Sequence, residues 1–185
     1  MTFIRLNLLF TLILVFFLVK FREKLPSKDD ESPHFLGIVF IIPLILGYLS
    51  SKDSNFLYLG LAILTIGLLD DIMDISPYLK LTFQLVFIGF YSLLSGDRNL
   101  LSLFLLLFLL NGFNLADGID GLLAILSFIS LAAVFYFLRN MTLLMVLTTL
   151  GVVIFVNFPP AKLFLGDTGA LFLGFFFFFF LRSHW

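Results

Sequence analysis

Six of the 12 acidic residues in this chain fall in three short clusters: Asp70, Asp71 and Asp74; Asp117 and Asp120; and Asp167. Each cluster closes or opens a long apolar run, in the segments Asp70-Asp71-Ile72-Met73-Asp74, Asn114-Leu115-Ala116-Asp117-Gly118-Ile119-Asp120 and Gly166-Asp167-Thr168-Gly169. Carboxylate and amide oxygens are hard ligands and suit Mg²⁺. Magnesium in turn serves phosphate chemistry, neutralising charge and orienting the leaving group. With no cysteine there is no thiolate site, and the two histidines, His34 and His184, are far apart. The 11 basic residues form no stripe interleaved with aromatics, so nothing points to nucleic acid.

Each cluster carries its own expectation. If the helix before Asp70 continues, Asp70 and Asp74 share a face at i,i+4 spacing and Asp71 lies about 100° away. Adjacent carboxylates repel, and a cation or a bound proton offsets that. Asn111, Asn114, Asp117 and Asp120 recur every three residues and form a polar stripe if they lie in a helix or 3₁₀ turn. Gly118 and Gly121 leave room beside the acids for a ligand or a neighbouring backbone. Pro159-Pro160 ends one helix, and Gly166 and Gly169 bracket Asp167 before the next, whose first amides favour an anion. Lys80 and Lys162 stand near these clusters as phosphate contacts. The plain alternative for any single cluster is a solvated helix end with a capping Asp.

The elements that must position these groups are membrane helices. The chain is 61% hydrophobic with 27 Phe, and its mean hydropathy is +1.15. The fold class is all-α: a polytopic helical membrane protein, one domain over 1–185, with about eight segments near 4–22, 34–50, 55–70, 78–95, 99–114, 119–138, 140–157 and 169–182. A barrel would require alternation, and these apolar runs are unbroken. The first run, Leu6 to Val19, reads as a retained helix, because charged residues and no small-residue cleavage site follow it. The polar segment Glu23 to Pro33 reads as a loop. The many Phe residues suit contact with lipid or with a prenyl chain.

Alternating the segments collects Lys20, Arg22, Lys24, Lys28, Lys80 and Lys162 on one side and the other five basic residues opposite. The four that follow the first helix place that side in the cytoplasm. Ten of the 12 acids lie on the same side; only Asp53 and Asp97 lie opposite. The clusters are therefore expected to meet in one aqueous pocket at the inner leaflet.

The motifs resemble those of the polyprenyl-phosphate N-acetylhexosamine-1-phosphate transferases (glycosyl transferase family 4), a superfamily that includes the phospho-N-acetylmuramoyl-pentapeptide transferases. The resemblance rests on Gly67-Leu68-Leu69-Asp70-Asp71-Ile72-Met73-Asp74 with Lys80-Leu81 and Gln84, on Asn114 through Leu122, and on Pro160 through Ala170. It implies transfer of a sugar-1-phosphate from a UDP-sugar to undecaprenyl phosphate or a similar lipid, with release of UMP, in cell-envelope glycan synthesis. It also implies a multi-pass protein of the cell inner membrane with its active face in the cytoplasm and Mg²⁺ as cofactor. Carried over by residue, Asp70 and Asp71 are the catalytic pair and Asp167 is the metal ligand. Asn114, Asp117 and Asp120 line the nucleotide side. The chain departs from the family at Ser32-Pro33-His34-Phe35-Leu36-Gly37, where His34 takes the place of an Arg, and at Ala170, where a Ser is common.

Members of that family have about ten or eleven helices and a later cytoplasmic loop rich in His and Arg. The resemblance therefore implies that this chain lacks the last helices, and that a homodimer or a second chain completes the site. Two other readings follow from the residues: an inactive or partner-dependent homologue, and a cation-coupled transporter. Transport acids ordinarily line a path across the midplane.

Overall fold

Polar residues mark where each apolar run stops, and the helices start on them. Asp53 accepts from the Phe56 amide at 3.0 Å, Ser76 from that of Leu79 with Pro77 in the first turn, Asn99 from Leu101, and Asn140 from Thr142. Each such cap contributes about 1 kcal/mol. The computed structural model describes residues 2–25 and 33–182. Among them are eight α-helices: α1 (Thr2–Lys20), α2 (Ile41–Ser51, led by the 3₁₀ turn Leu36–Phe40), α3 (Ser54–Met73), α4 (Pro77–Ser95), α5 (Leu100–Ala116), α6 (Leu122–Leu138), α7 (Met141–Asn157) and α8 (Gly166–Arg182). The middle of the expected Glu23–Pro33 loop, with Lys28, lies outside the described residues, as does His184.

Three helices, α1, α3 and α4, are long and apolar enough to cross a membrane. Four shorter apolar stretches accompany them: Leu36–Ser51, Leu100–Ala116, Leu122–Leu138 and Met141–Asn157. A helix of 17 residues spans only about 25 Å, less than a typical hydrocarbon core. Phe16, Phe104 and Phe155 are exposed on the outside of the bundle, as lipid contact requires. Within it, Asn7 of α1 donates to the Met145 carbonyl and to the Thr148 hydroxyl of α7, both at 2.9 Å. Polar pairs of this kind join helices where lipid is as apolar as the side chains.

The last helix is the centre of the bundle. α8 lies between α3 and α5, and Phe172, Phe175, Phe176 and Phe178 are at most 2% exposed. Phe172 stacks on Phe40 at 5.1 Å, and Phe179 meets Phe56 at 5.0 Å. The Phe residues thus divide: Phe16, Phe104 and Phe155 face outward, whereas Phe175, Phe176, Phe178 and Phe180 are core. In lipid, burial between helices gains by close packing rather than by leaving water, and flat rings pack a crowded helix well.

At the end of the bundle away from the clusters, Arg182 closes α8 onto the α4–α5 turn. Its Nη1 lies 3.0 Å from Asp97 Oδ2 and also meets the Tyr91 hydroxyl. Burial pushes the Asp97 carboxyl up. The Ser102 hydroxyl, the Asn99 amide and Arg182 more than offset this and hold it below the usual carboxylate range. A depressed acid contributes stability above its unfolded pKa and loses it as pH falls. Arg182→Met should lower stability near neutral pH by about 2 kcal/mol, less than for a sealed pair because the guanidinium is 35% exposed. Thermal unfolding in detergent should show the difference from the native chain shrinking below about pH 4.

Candidate active site at one end of the bundle

Consecutive helix positions point about 100° apart, so Asp70 and Asp71 cannot face the same partner. Asp70 turns to α4: its Oδ2 lies 2.7 Å from Lys80 Nζ, and its Oδ1 accepts from the Ile75 amide at 2.9 Å. Asp71 turns to α8. It accepts from the Asp167 amide at 2.8 Å, from the Thr168 amide at 3.0 Å and from the Thr168 hydroxyl at 2.6 Å. Gly67, one turn earlier on the same face of α3, permits this approach, because a Cβ there would run into the Thr168 backbone. An anion does sit on the first amides of α8, as expected, but it is the protein's own Asp71 and not a phosphate.

Gly166 opens α8 at φ +74°, in the left-handed region, and donates its amide to Asp117 Oδ2 at 3.0 Å. Asp120 Oδ2 accepts from the Ala161 amide at 3.2 Å. The loop before α8 is held from a third side, where the Leu36 and Gly37 amides donate to the Phe164 and Leu165 carbonyls. Asp71, Asp117 and Asp120 thus bond the backbone that presents Asp167. The Asp167 carboxylate itself accepts from Lys80 Nζ.

Two local expectations are corrected. The third helix stops at Met73, and Asp74 is a left-handed cap (φ 50°) whose amide bonds the Asp70 carbonyl at 3.0 Å. Asp74 therefore reaches the site from a turn and not from the helical face of Asp70. Helix α5 likewise ends at Ala116, so Asn111 and Asn114 lie on the helix and Asp117 and Asp120 in the following turn. The three-residue recurrence does not form one stripe.

A cavity of about 370 Å³ gathers Asp70, Asp74, Lys80, Asn111, Asn114 and Asp167. Of the residues expected at the site, Asp70, Lys80, Asn114 and Asp167 line it. Asp71, Asp117 and Asp120 stand one layer behind. Lys162 is exposed and is not among the lining residues. Sequence reasoning missed two supporting residues. Thr168 follows Asp167 directly, and that adjacency was its only signal. Asn157 is buried, accepts from the Gly121 amide and donates to the Leu163 carbonyl; its signal was a polar residue next to Pro159-Pro160 in an apolar run.

Asp117 lies outside the helices, and its carboxyl is pushed up to about 8. Burial is the main cause, and the charges of Asp167, Asp71 and Asp120 add to it against the Gly166 hydrogen bond. A raised acid favours the folded state fully below its unfolded pKa, near 4, and this is lost as pH rises through 8. The melting temperature should therefore fall between pH 4 and pH 8. Asp117→Asn, which keeps an oxygen for Gly166 but cannot ionise, should flatten that slope.

Among the described residues no group of three or more His, Cys, Asp or Glu is arranged to hold a metal. The donor set nonetheless fits a hard divalent cation: Lys80 Nζ, itself a positive centre, sits between the Asp70 and Asp167 carboxylates, with Asn114 in the same wall.

Residues 97–183 match glycosyl transferase family 4. That stretch covers the second and third clusters, and the fold brings the Asp70–Asp74 segment beside them. Curated relatives extend the similarity at 33–34% identity. One is the probable undecaprenyl-phosphate N-acetylglucosaminyl 1-phosphate transferase of Bacillus subtilis (strain 168), 34% identical over 69% of this chain and 35% of its own length. Others are the phospho-N-acetylmuramoyl-pentapeptide-transferases of Streptococcus pneumoniae (strain 70585), at 34% over 77% of this chain and 56% of its own, and of Streptococcus sanguinis (strain SK36), at 33% over 77% and 57%. The chain spans about half the length, or less, of these relatives. It is a distant match to the polyprenyl-phosphate sugar-1-phosphate transferases.

Proposed function

We propose that this chain transfers a sugar-1-phosphate from a UDP-sugar to undecaprenyl phosphate or a similar polyprenyl phosphate at the cytoplasmic face of the cell inner membrane, releasing UMP. The observation that carries this reading is the meeting of Asp70, Lys80 and Asp167 in one polar cavity at the end of an apolar bundle, with α8 presented by Asp71. The lipid phosphate is already an anion near neutral pH and needs little help from a base. An oxygen of that phosphate attacks the sugar-bearing phosphorus of the diphosphate, the bond from that phosphorus to the bridging oxygen breaks, and UMP leaves with the electron pair. The main barrier is the approach of two polyanions. Mg²⁺ held by Asp70 and Asp167 would supply charge neutralisation at the diphosphate. Lys80 offers a further positive contact, and Asn114 an amide to orient the nucleotide sugar.

An apolar groove of about 400 Å³ lies on the side of α5 turned away from Asn114, lined by Phe108, Gly112, Phe113, Leu123 and Phe177. It offers a place for an apolar chain. The Phe-packed core of α8 and its neighbours beyond the cavity favours transfer at one face over a path through the bundle. Membranes carrying the chain should release UMP from UDP-N-acetylglucosamine only when undecaprenyl phosphate and Mg²⁺ are both present. Release no greater than from an Asp167→Asn control would refute the reading.

A further inference from the structure

One backbone carbonyl decides how an amide in the cavity wall is oriented. The Leu107 carbonyl lies 2.9 Å from a terminal atom of Asn111, one turn later on α5. A carbonyl only accepts, so that atom is the nitrogen, Nδ2. The other Nδ2 hydrogen goes to Gln84, also at 2.9 Å, so the Gln84 atom there is its oxygen, Oε1. Gln84 is wholly buried on α4, one turn beyond Lys80 and on the same face.

This orientation has two consequences. Asn111 has both donors engaged, and what it retains for a ligand is Oδ1, an acceptor. Gln84 is left with Nε2 buried and without a partner. An orphaned buried donor is a cost that an apolar side chain of similar length would avoid. Gln84 is therefore better explained by its hold on Asn111 than by its own contribution to folding. Phosphate oxygens are acceptors and suit Lys80, not Asn111 Oδ1. An amide oxygen takes either a cation or a hydrogen-bond donor; with the cation assigned to Asp70 and Asp167, Asn111 Oδ1 is left for a donor, and the group bonded directly to the reacting phosphorus is the sugar.

We propose that Asn111, oriented by Gln84, is a specificity-determining acceptor for a hydroxyl or amide N–H on the glycosyl group of the bound nucleotide sugar. The assignment rests on the transfer reading above. Gln84 is a positioning residue and does not touch the ligand.

The test compares native chain, Asn111→Leu and Gln84→Met in membranes, with undecaprenyl phosphate and Mg²⁺. The donors are UDP-N-acetylglucosamine, UDP-glucose and UDP-sugars each lacking one hydroxyl. The native chain should prefer a donor-bearing sugar over the analogue lacking that one group by about 10-fold or more in kcat/KM. Asn111→Leu should bring the ratio close to one, and Gln84→Met should lower it while melting no earlier than native. Loss specific to UDP-N-acetylglucosamine identifies the amide N–H; loss specific to one deoxy sugar identifies that hydroxyl. Unchanged ratios in Asn111→Leu overturn the assignment. So does an equal loss for all sugars together with weaker UMP binding, or a Gln84→Met chain that melts early and loses every sugar alike. If the native chain releases no UMP from any sugar, the transfer reading itself fails. Native turnover with unaltered ratios in the variants removes only the role of Asn111.

Discussion

Asp71→Ala should destabilise the chain by about 3–5 kcal/mol, whereas Asp70→Asn should shift its melting temperature little and still abolish transfer. The adjacent acids look equivalent in sequence. Asp71, at 5% exposure, accepts the Asp167 amide, the Thr168 amide and the Thr168 hydroxyl. Removing it strands two backbone donors at the start of a buried helix, each costing about 1–3 kcal/mol, and leaves a cavity besides. Asp70 is also buried, but it faces Lys80 and the cavity. Asparagine there keeps an oxygen for the Ile75 amide and removes one negative charge, and Lys80 retains Asp167. Thermal unfolding beside UMP release separates the two roles. If Asp71→Ala melts like the native chain, the assignment of Asp71 to holding α8 is wrong.

Lys80→Met is expected to lower transfer by about 10³-fold, the scale of losing one preorganised charge from a water-poor site. Lys80 Nζ stands between Asp70 and Asp167 and lines the cavity with them. Without it the two carboxylates face each other uncompensated, and a divalent cation should bind more tightly. Coulomb attraction at an effective dielectric near 20 makes the removal of one competing charge worth a few kcal/mol before solvent screening. The expected pattern is therefore stronger Mg²⁺ binding with slower transfer, read by calorimetry and by UMP release on the same preparation. Weaker Mg²⁺ binding in Lys80→Met would place the cation somewhere other than between Asp70 and Asp167.

The helices and the side on which the acids gather were legible in the sequence for a simple reason. Lipid forbids unpaired backbone, so long apolar runs become helices, and each polar interruption marks an end of the bundle. Asp53, Ser76, Asn99 and Asn140 show this directly, each starting a helix at such an interruption. Alternation then sufficed to put Asp70, Asp71, Asp117, Asp120 and Asp167 at one end, and they meet there.

The division of work among those acids was settled only by packing. Composition alone did not separate lipid-facing Phe from core Phe, yet α8 is the innermost helix, enclosed by α3, α5 and the Leu36–Phe40 turn. Gly67 lets α3 close on the first turn of α8, and Asp71 then meets the Asp167 and Thr168 amides. The ends of α3 at Met73 and of α5 at Ala116 depend on caps that no periodicity encodes, and they move Asp74 and Asp117 off the faces expected of them. Residue type and spacing fixed which groups could do chemistry. Which oxygen faces the cavity and which holds the scaffold is a property of contacts between helices nearly a hundred residues apart, and hydrophobic pattern carries no record of it.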